Sequence, residues 1–217
     1  KLDESQSNLL NRAINIYDSL RIKSQNYIST YRLAEIKYRV QGDLDKSQQL
    51  YKYVLKNSKK IDYRNLSLIR IIDIEMSKGD LEKAQSLSEN YKNSIKNTHL
   101  KELLDIKNIQ LIFYTGNREI LIPACQNILN TLKKNHIFYN DILDILSIAF
   151  ITKDDNELKK YANIKLKLFQ NHRAQVIDII QDDNFNNKKI KNMLMYELAY
   201  LQYLQGNFNE ALSAINK

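Results

Sequence analysis

Residues that could do chemistry are few in this 217-residue chain, and they stand apart from one another. The single cysteine, Cys125, lies in the apolar helical stretch Ile122-Pro123-Ala124-Cys125-Gln126, which predicts a buried small side chain and allows no intramolecular disulfide. The histidines His99, His136 and His172 occur singly, so no pair at helical spacing brings two metal ligands onto one face. The sequence therefore predicts no metal site.

Acidic pairs and phosphate-binding motifs give no support to catalysis either. Asp154 with Asp155, and Asp182 with Asp183, fall in turns or polar loops, where an acid serves as a helix cap. A Gly-rich phosphate loop and a Gly-x-Ser-x-Gly motif are both absent from the sequence. We therefore predict that the chain is not an enzyme and needs no cofactor.

The composition favours long helices. Only four glycines and one proline occur, while good helix formers abound. The sequence nowhere contains about 18 consecutive apolar residues, so we expect no membrane-spanning segment. The single cysteine favours a reducing compartment, the cytoplasm, and an envelope location stays open if a signal or anchor was removed. Because the sequence starts without Met and ends inside a predicted helix, we expect a piece of a longer protein.

The net charge of +8 raises the question of a nucleic-acid or anionic-membrane surface. The lysines, however, recur near the ends of successive predicted helices, where cations oppose the negative end of the helix dipole. This distribution favours a solvated face over a nucleic-acid surface. The lysines concerned are Lys56, Lys59, Lys60, Lys92, Lys96, Lys133 and Lys134.

A repeat of about 37 residues organises the chain. Gly42, Gly79 and Gly116 are each separated by 37 residues, and Gly206 follows later. After each glycine comes Asp or Asn and then polar residues. Glycine ends a helix in a left-handed turn without steric cost, and the following Asp or Asn caps the next helix. Each site is therefore predicted to be a tight turn between two helices.

These turns divide the chain into helix pairs. A segment starting at Thr152 keeps the capping acids without the glycine, and an apolar stretch at 176–180 with a polar loop at 181–187 predicts an insertion that could hold one short helix. We treat 1–217 as one repeat domain. Its predicted units are 1–23, which holds a second helix only, 26–58, 60–96, 98–134, 137–170 and 188–217, with the insertion at 171–187.

The turn, the small residue five positions after the glycine and the aromatic residue four positions later, as in Ser47 and Tyr51, resemble the tetratricopeptide repeat. The last unit, from Leu198 to Leu212, is the most similar. The resemblance implies an all-α, right-handed solenoid of antiparallel helix pairs. The chain departs from the family in its longer repeats, in lacking a proline after second helices, and in carrying Leu121 and Lys159 at small packing positions. A simple helical bundle or coiled coil is the alternative architecture.

The resemblance also implies a concave groove that binds a protein segment or helix, so we predict a non-enzymatic interaction scaffold. Each predicted groove residue could instead belong to the core between helices. The predicted groove residues are Arg32, Arg39, Ile69, Met76, Phe113, Tyr196, Tyr200 and Tyr203. The family's carboxylate clamp is not supported, since only two arginines approach its pattern.

Two other functions compatible with the resemblance remain open. One is the peptide-sensing domain of a bacterial transcriptional regulator, which an attached DNA-binding domain would reveal. The other is a subunit whose active domain lies elsewhere in the polypeptide. Apolar surface at both ends of the repeat array further predicts self-association of this chain.

Overall fold

Twelve α-helices and no strand form the regular structure of the part of the chain that the computed structural model describes, residues 3–92, 95, 97–182, 185 and 187–216. This confirms the all-α prediction. Within these residues, no helix combines the length and apolarity needed to cross a membrane. The chain divides into two compact units, residues 1–95 and 96–217.

The helices of the first unit are α1 (Glu4–Ser24), α2 (Tyr27–Arg39), α3 (Leu44–Asn57), α4 (Ile61–Lys78) and α5 (Leu81–Lys92). Consecutive helices pack against each other, and α2 also contacts α4. The core between α2, α3 and α4 is centred on aromatic rings. The ring of Tyr31 lies 5.6 Å from that of Tyr51 and 5.3 Å from that of Tyr63, in edge-to-face arrangements that aromatic pairs favour.

The helices of the second unit are α6 (Thr98–Thr115), α7 (Arg118–Thr131), α8 (Tyr139–Ile151), α9 (Asp155–Phe169), α10 (Arg173–Asp182), α11 (Lys188–Gln205) and α12 (Phe208–Ile215). Helix α6 packs against α7, α8 and α9, whereas α11 packs against α8, α10 and α12. The short helix α10 occupies the segment predicted as an insertion and buries Val176 and Ile180. One continuous core, mainly of aliphatic side chains and including the rings of Phe113 and Tyr161, joins these helices.

The glycine turns have the predicted backbone conformation. Gly42, Gly79, Gly116 and Gly206 all have positive φ, between 65° and 86°. The predicted helix caps after these glycines form in three cases. In each, a side-chain oxygen accepts a hydrogen bond from a backbone N–H of the next helix. These bonds join Asp43 to Lys46 N–H (2.9 Å), Asp80 to Lys83 N–H (3.0 Å) and Asn117 to Ile120 N–H (3.2 Å).

Two other predicted caps differ from each other. Asp154, in the segment that lacks a glycine, accepts a hydrogen bond from Glu157 N–H at 2.9 Å, as predicted. Asn207 makes no side-chain cap. Its Nδ2 instead donates to Oε1 of Gln202 at 2.8 Å, so this residue ties the end of α11 to the turn.

The turn at Gly116 also lies against α9. A Cβ added to Gly116 would stand 2.8 Å from Cα of Lys159, closer than real Cβ contacts. Next to it, Arg118 donates from Nε to the carbonyl of Ala149 (2.9 Å) and from Nη1 to that of Lys153 (3.0 Å). Glycine is therefore required here both for its φ and for its lack of a side chain.

We expect Gly116→Ala to lower the free energy of unfolding by about 3 kcal/mol or more, and Gly206→Ala by about 1–2 kcal/mol. Both substitutions place a Cβ at positive φ, but only Gly116 faces a backbone neighbour, since nothing lies within 4 Å of the Cβ position at Gly206. Urea unfolding followed by far-UV circular dichroism measures both variants. Equal losses would show that α9 shifts away from the turn at no cost.

Candidate functional site

Helix α11 is apolar on two opposite faces. One face packs into the second unit, where Ile190, Leu194, Leu198 and Leu201 are all less than 7% exposed. An ordinary amphipathic helix would carry polar residues on the other side. This helix instead carries a row of exposed aromatic residues there.

Three tyrosines form that row. Tyr196, Tyr200 and Tyr203 are 68%, 57% and 59% exposed, and their spacing of four and three residues places them on one side of α11. Met193, 42% exposed, precedes them on the same side, and Phe208 at the start of α12 follows. The rings of Tyr203 and Phe208 lie 5.7 Å apart, nearly edge to face. We call these five residues the aromatic stripe.

Local interactions fix the position of α11. At its start, Oδ1 of Asn187 accepts hydrogen bonds from the backbone N–H groups of Lys189 and Ile190, and Nδ2 of Asn187 donates to the carbonyl of Ile151. Along its length, Nζ of Lys165 on α9 lies 2.6 Å from Oε2 of Glu197, in a pair that is half-buried on both sides. These contacts fix the position of α11, which carries four of the five residues of the stripe.

The structure places three of the predicted groove residues in the core instead. Ile69, Met76 and Phe113 are 8%, 0% and 5% exposed. The ring of Phe113 packs edge to face against that of Tyr161, 6.3 Å away. Their helical spacing was correct, but neighbouring helices cover the face on which they lie. The prediction that these three residues line a binding groove is therefore wrong, and they are not part of the candidate surface.

The two predicted arginines remain at the surface. Arg32 is exposed, and the side chain of Arg39 is 57% exposed. Arg39, however, is engaged within its own helix, because its Nε lies 2.7 Å from Oε2 of Glu35. Its charge is thereby compensated, which makes Arg39 a weak anion ligand.

Glu35 is the centre of a polar network that sequence reasoning missed. Its Oε1 accepts hydrogen bonds from the Tyr51 hydroxyl (2.6 Å) and from Nε of Arg70 (2.9 Å). Arg70 also donates from Nη1 to Oδ2 of Asp73, which is buried, at 2.9 Å. The network joins α2, α3 and α4 and compensates the charge of Arg70 as well. This arrangement fixes the positions of the three helices relative to one another.

The network keeps Glu35 ionised. Burial by itself would raise the pKa of this carboxyl, but the hydrogen bond from Tyr51 and the positive charges of Arg70 and Arg39 outweigh burial and hold the pKa below its usual value. The pKa of the neighbouring Tyr31 shifts in the opposite direction. Burial and the Glu35 charge raise the pKa of Tyr31 to about 12, so its hydroxyl stays protonated.

No protein-family model, curated protein or solved structure matches this chain. Its function is therefore inferred from its own geometry. Two features bear on that inference: an exposed aromatic stripe along α11 that ends at the start of α12, and the pairing of Arg39 and Arg70 with the carboxylate of Glu35.

The structure gives the surroundings of Cys125 and of two of the three histidines. Cys125 is fully buried, as predicted, and burial raises the pKa of its thiol to about 12, which keeps the thiol protonated and inert. His99 and His136 both approach Oε2 of Glu102, at 3.5 Å and 4.0 Å. Among the residues that the structure describes, no three His, Cys, Asp or Glu side chains are grouped so that they could hold a metal ion.

The ion pairs that sequence reasoning missed have a common feature in the sequence, the spacing between their partners. Opposite charges about one repeat apart form pairs across neighbouring helices, as with Glu35 and Arg70, 35 residues apart, and with Lys165 and Glu197, 32 residues apart. Opposite charges recur at such spacings throughout the sequence, so spacing alone does not identify the pairs. Only the packing of helices selects the pairs that form.

Replacing Glu35 with Gln is expected to lower the free energy of unfolding at neutral pH by about 2–3 kcal/mol, because Arg70 loses a half-buried ionic partner. The pKa of Glu35 is lower in the folded than in the unfolded chain. Its ionised form therefore stabilises the fold above the unfolded pKa, about 4.3, and this stabilisation is lost as the pH falls further. The variant should lose less stability on acidification than the wild type.

Urea unfolding at a series of pH values measures this effect. Asp45→Asn is the matched control, because Asp45 pairs with Lys78 while its carboxylate is exposed and screened by water. The control should behave nearly as the wild type. A Glu35→Gln variant that kept the full acid dependence of the wild type would contradict the role assigned to the network.

Proposed function

We propose that this chain is a non-enzymatic protein-binding module that holds a peptide segment or helix of a partner protein on its aromatic stripe. We further propose that its helix pairs belong to the tetratricopeptide-repeat type and stack in a right-handed sense within each unit. The observation that carries the binding proposal is the exposed second apolar face of α11. An amphipathic surface helix normally has one apolar face, which packs on the core, so a second, exposed apolar face is unusual.

The stripe has the chemistry of a protein contact. Tyrosine is enriched among the residues that dominate binding energy, because its ring is large and rigid and its hydroxyl tolerates water. Tyr196, Tyr200 and Tyr203 are all more than half exposed, and Phe208 adds a fourth ring at 63%. Contiguous apolar surface of this kind on a protein typically marks an interaction site.

The turn chemistry supports the relation to tetratricopeptide repeats. Four left-handed glycines end first helices, and in the first unit each helix packs against its chain neighbours while α2 contacts α4. Such packing is expected of stacked helix pairs. A rigid stack presents the first helices of successive pairs on one side, and α11 is a first helix in this scheme.

Selection of a displayed library of random 16-residue peptides on the whole chain tests the binding proposal. We expect peptides with micromolar dissociation constants. Their affinity for the Tyr200→Ser, Tyr203→Ser double variant should be at least tenfold lower, because about 1.4 kcal/mol or more of apolar contact is lost. Both tyrosines are exposed, so the double variant should unfold at the same urea concentration as the wild type.

Tyr53→Ser is the control, since it removes an exposed tyrosine from α3 in the other unit. This variant should bind the selected peptides as well as the wild type does. A library that yields no binder, or binders that the double variant holds equally well, would refute the assignment of the stripe as the binding surface.

A further inference from the structure

Three lysines lie in the first turns of α11, where cations are unfavourable. Lys188, Lys189 and Lys191 are all exposed, and they stand at the positive end of the helix dipole. Acidic residues would stabilise this end, yet the first turn of α11 contains none. In the described part of the chain, none of these lysines makes an ion pair. Their charge is therefore left uncompensated within the described residues.

One of these lysines is aligned with the aromatic stripe. Lys189 precedes Tyr196 by seven residues, about two helical turns, so both side chains lie on the same side of α11. From Lys189 to Tyr203 the row extends for about 21 Å at 1.5 Å per residue. The row thus begins with the positively charged side chain of Lys189 and continues with the aromatic rings of the tyrosines.

The rest of the row is electrically neutral. Between Lys191 and Phe208 the sequence contains no Lys or Arg, and the one acid in that segment, Glu197, is compensated by Lys165. The far end of α11 carries Gln205 and then Asn207. Along α11, the uncompensated charge within the described residues is therefore confined to the start of the helix.

We propose that the partner held by the aromatic stripe is an amphipathic helical segment, with apolar side chains over the tyrosines and acidic residues at the end that meets Lys188 and Lys189. This inference rests on the protein-binding function proposed above and names the chemistry of its ligand. A helix of four turns matches the length of the row, about 21 Å. Helices pack along one another through rows of side chains three and four residues apart, the spacing that the stripe presents.

The same charge distribution disfavours single-stranded nucleic acid. A nucleic acid bound along the row would place a phosphate at each nucleotide and would require cations along the whole row, interleaved with the rings. The only cations on this part of α11 are at its start. In a mainly apolar segment with an acidic group at one end, the acidic group compensates the charge of the lysines. The apolar side chains of that segment then contact the uncharged tyrosines.

Three synthetic 18-residue probes test the proposal. All share leucines and a phenylalanine at helical spacing, and they carry Glu, Gln or Lys in both terminal turns, so that either orientation brings an end group to the lysines. Fluorescence anisotropy measures their affinity for the whole chain. We expect the Glu probe to bind about fivefold to tenfold more tightly than the Gln probe at low salt, and the Lys probe to bind most weakly.

The preference for Glu should disappear in the Lys188→Ala, Lys189→Ala variant. It should persist in Lys133→Ala, Lys134→Ala, which removes the same charge from exposed positions elsewhere in the second unit. All three probes should bind weakly to Tyr200→Ser, Tyr203→Ser. Added salt should weaken binding of the Glu probe and leave that of the Gln probe nearly unchanged.

The outcomes separate this inference from the proposed function. Equal binding of the Glu and Gln probes, dependent on the tyrosines, would overturn the acidic partner and retain the protein-binding surface. Failure of every probe, while library-selected peptides bind through the tyrosines, would have the same meaning. Failure of both probes and library would refute both proposals. Tighter binding of a 20-nucleotide oligothymidylate than of the Glu probe, lost in the lysine variant, would replace the peptide with a nucleic acid.

Discussion

The left-handed glycine turn is the constraint on which the helix pairs depend. At Gly42, Gly79, Gly116 and Gly206 the chain reverses within a few residues, so the next helix starts beside the previous one and can bury its apolar face there. After the first three of these turns, the capping side chain satisfies an N–H group that would otherwise have no partner within the helix. At Gly116 the same turn also lies against the backbone of α9, so one residue serves both the reversal and the packing of a later helix.

Charged residues determine how the paired helices are aligned. Glu35 accepts hydrogen bonds from Tyr51 on α3 and Arg70 on α4, and Glu197 forms an ion pair with Lys165 on α9. A half-buried carboxylate tolerates few positions of its partners, because an unpaired charge in that place is costly. In the first unit, these contacts also compensate the charges of Arg39 and Arg70. The uncompensated lysines of α11 differ in this respect.

Helix α11 combines both kinds of constraint. Its inner face is held by the core, by Asn187 at its start and by Glu197 along its length, while its outer face presents tyrosines that no described residue covers. Rigid placement lowers the entropy lost when a partner binds. In the proposed complex, the tyrosines supply contact area, and the lysines at one end orient the partner segment. This combination is the physical basis of the proposed protein-binding function.

The sequence by itself determined where the glycine turns separate helices, and it predicted the caps at Asp43, Asp80, Asn117 and Asp154, because these are local interactions; the cap expected at Asn207 is replaced by a hydrogen bond to Gln202. It also determined which residues share a face, since helical periodicity follows from spacing alone. Only the tertiary structure decided which faces are covered. Met76 and Phe113 each lie three residues before a turn glycine, as Tyr203 does, yet neighbouring helices bury the former two and leave the tyrosine exposed. Which helix packs on which, such as α9 on α6, depends on contacts between residues distant in the chain, and spacing within one helix carries no information about them.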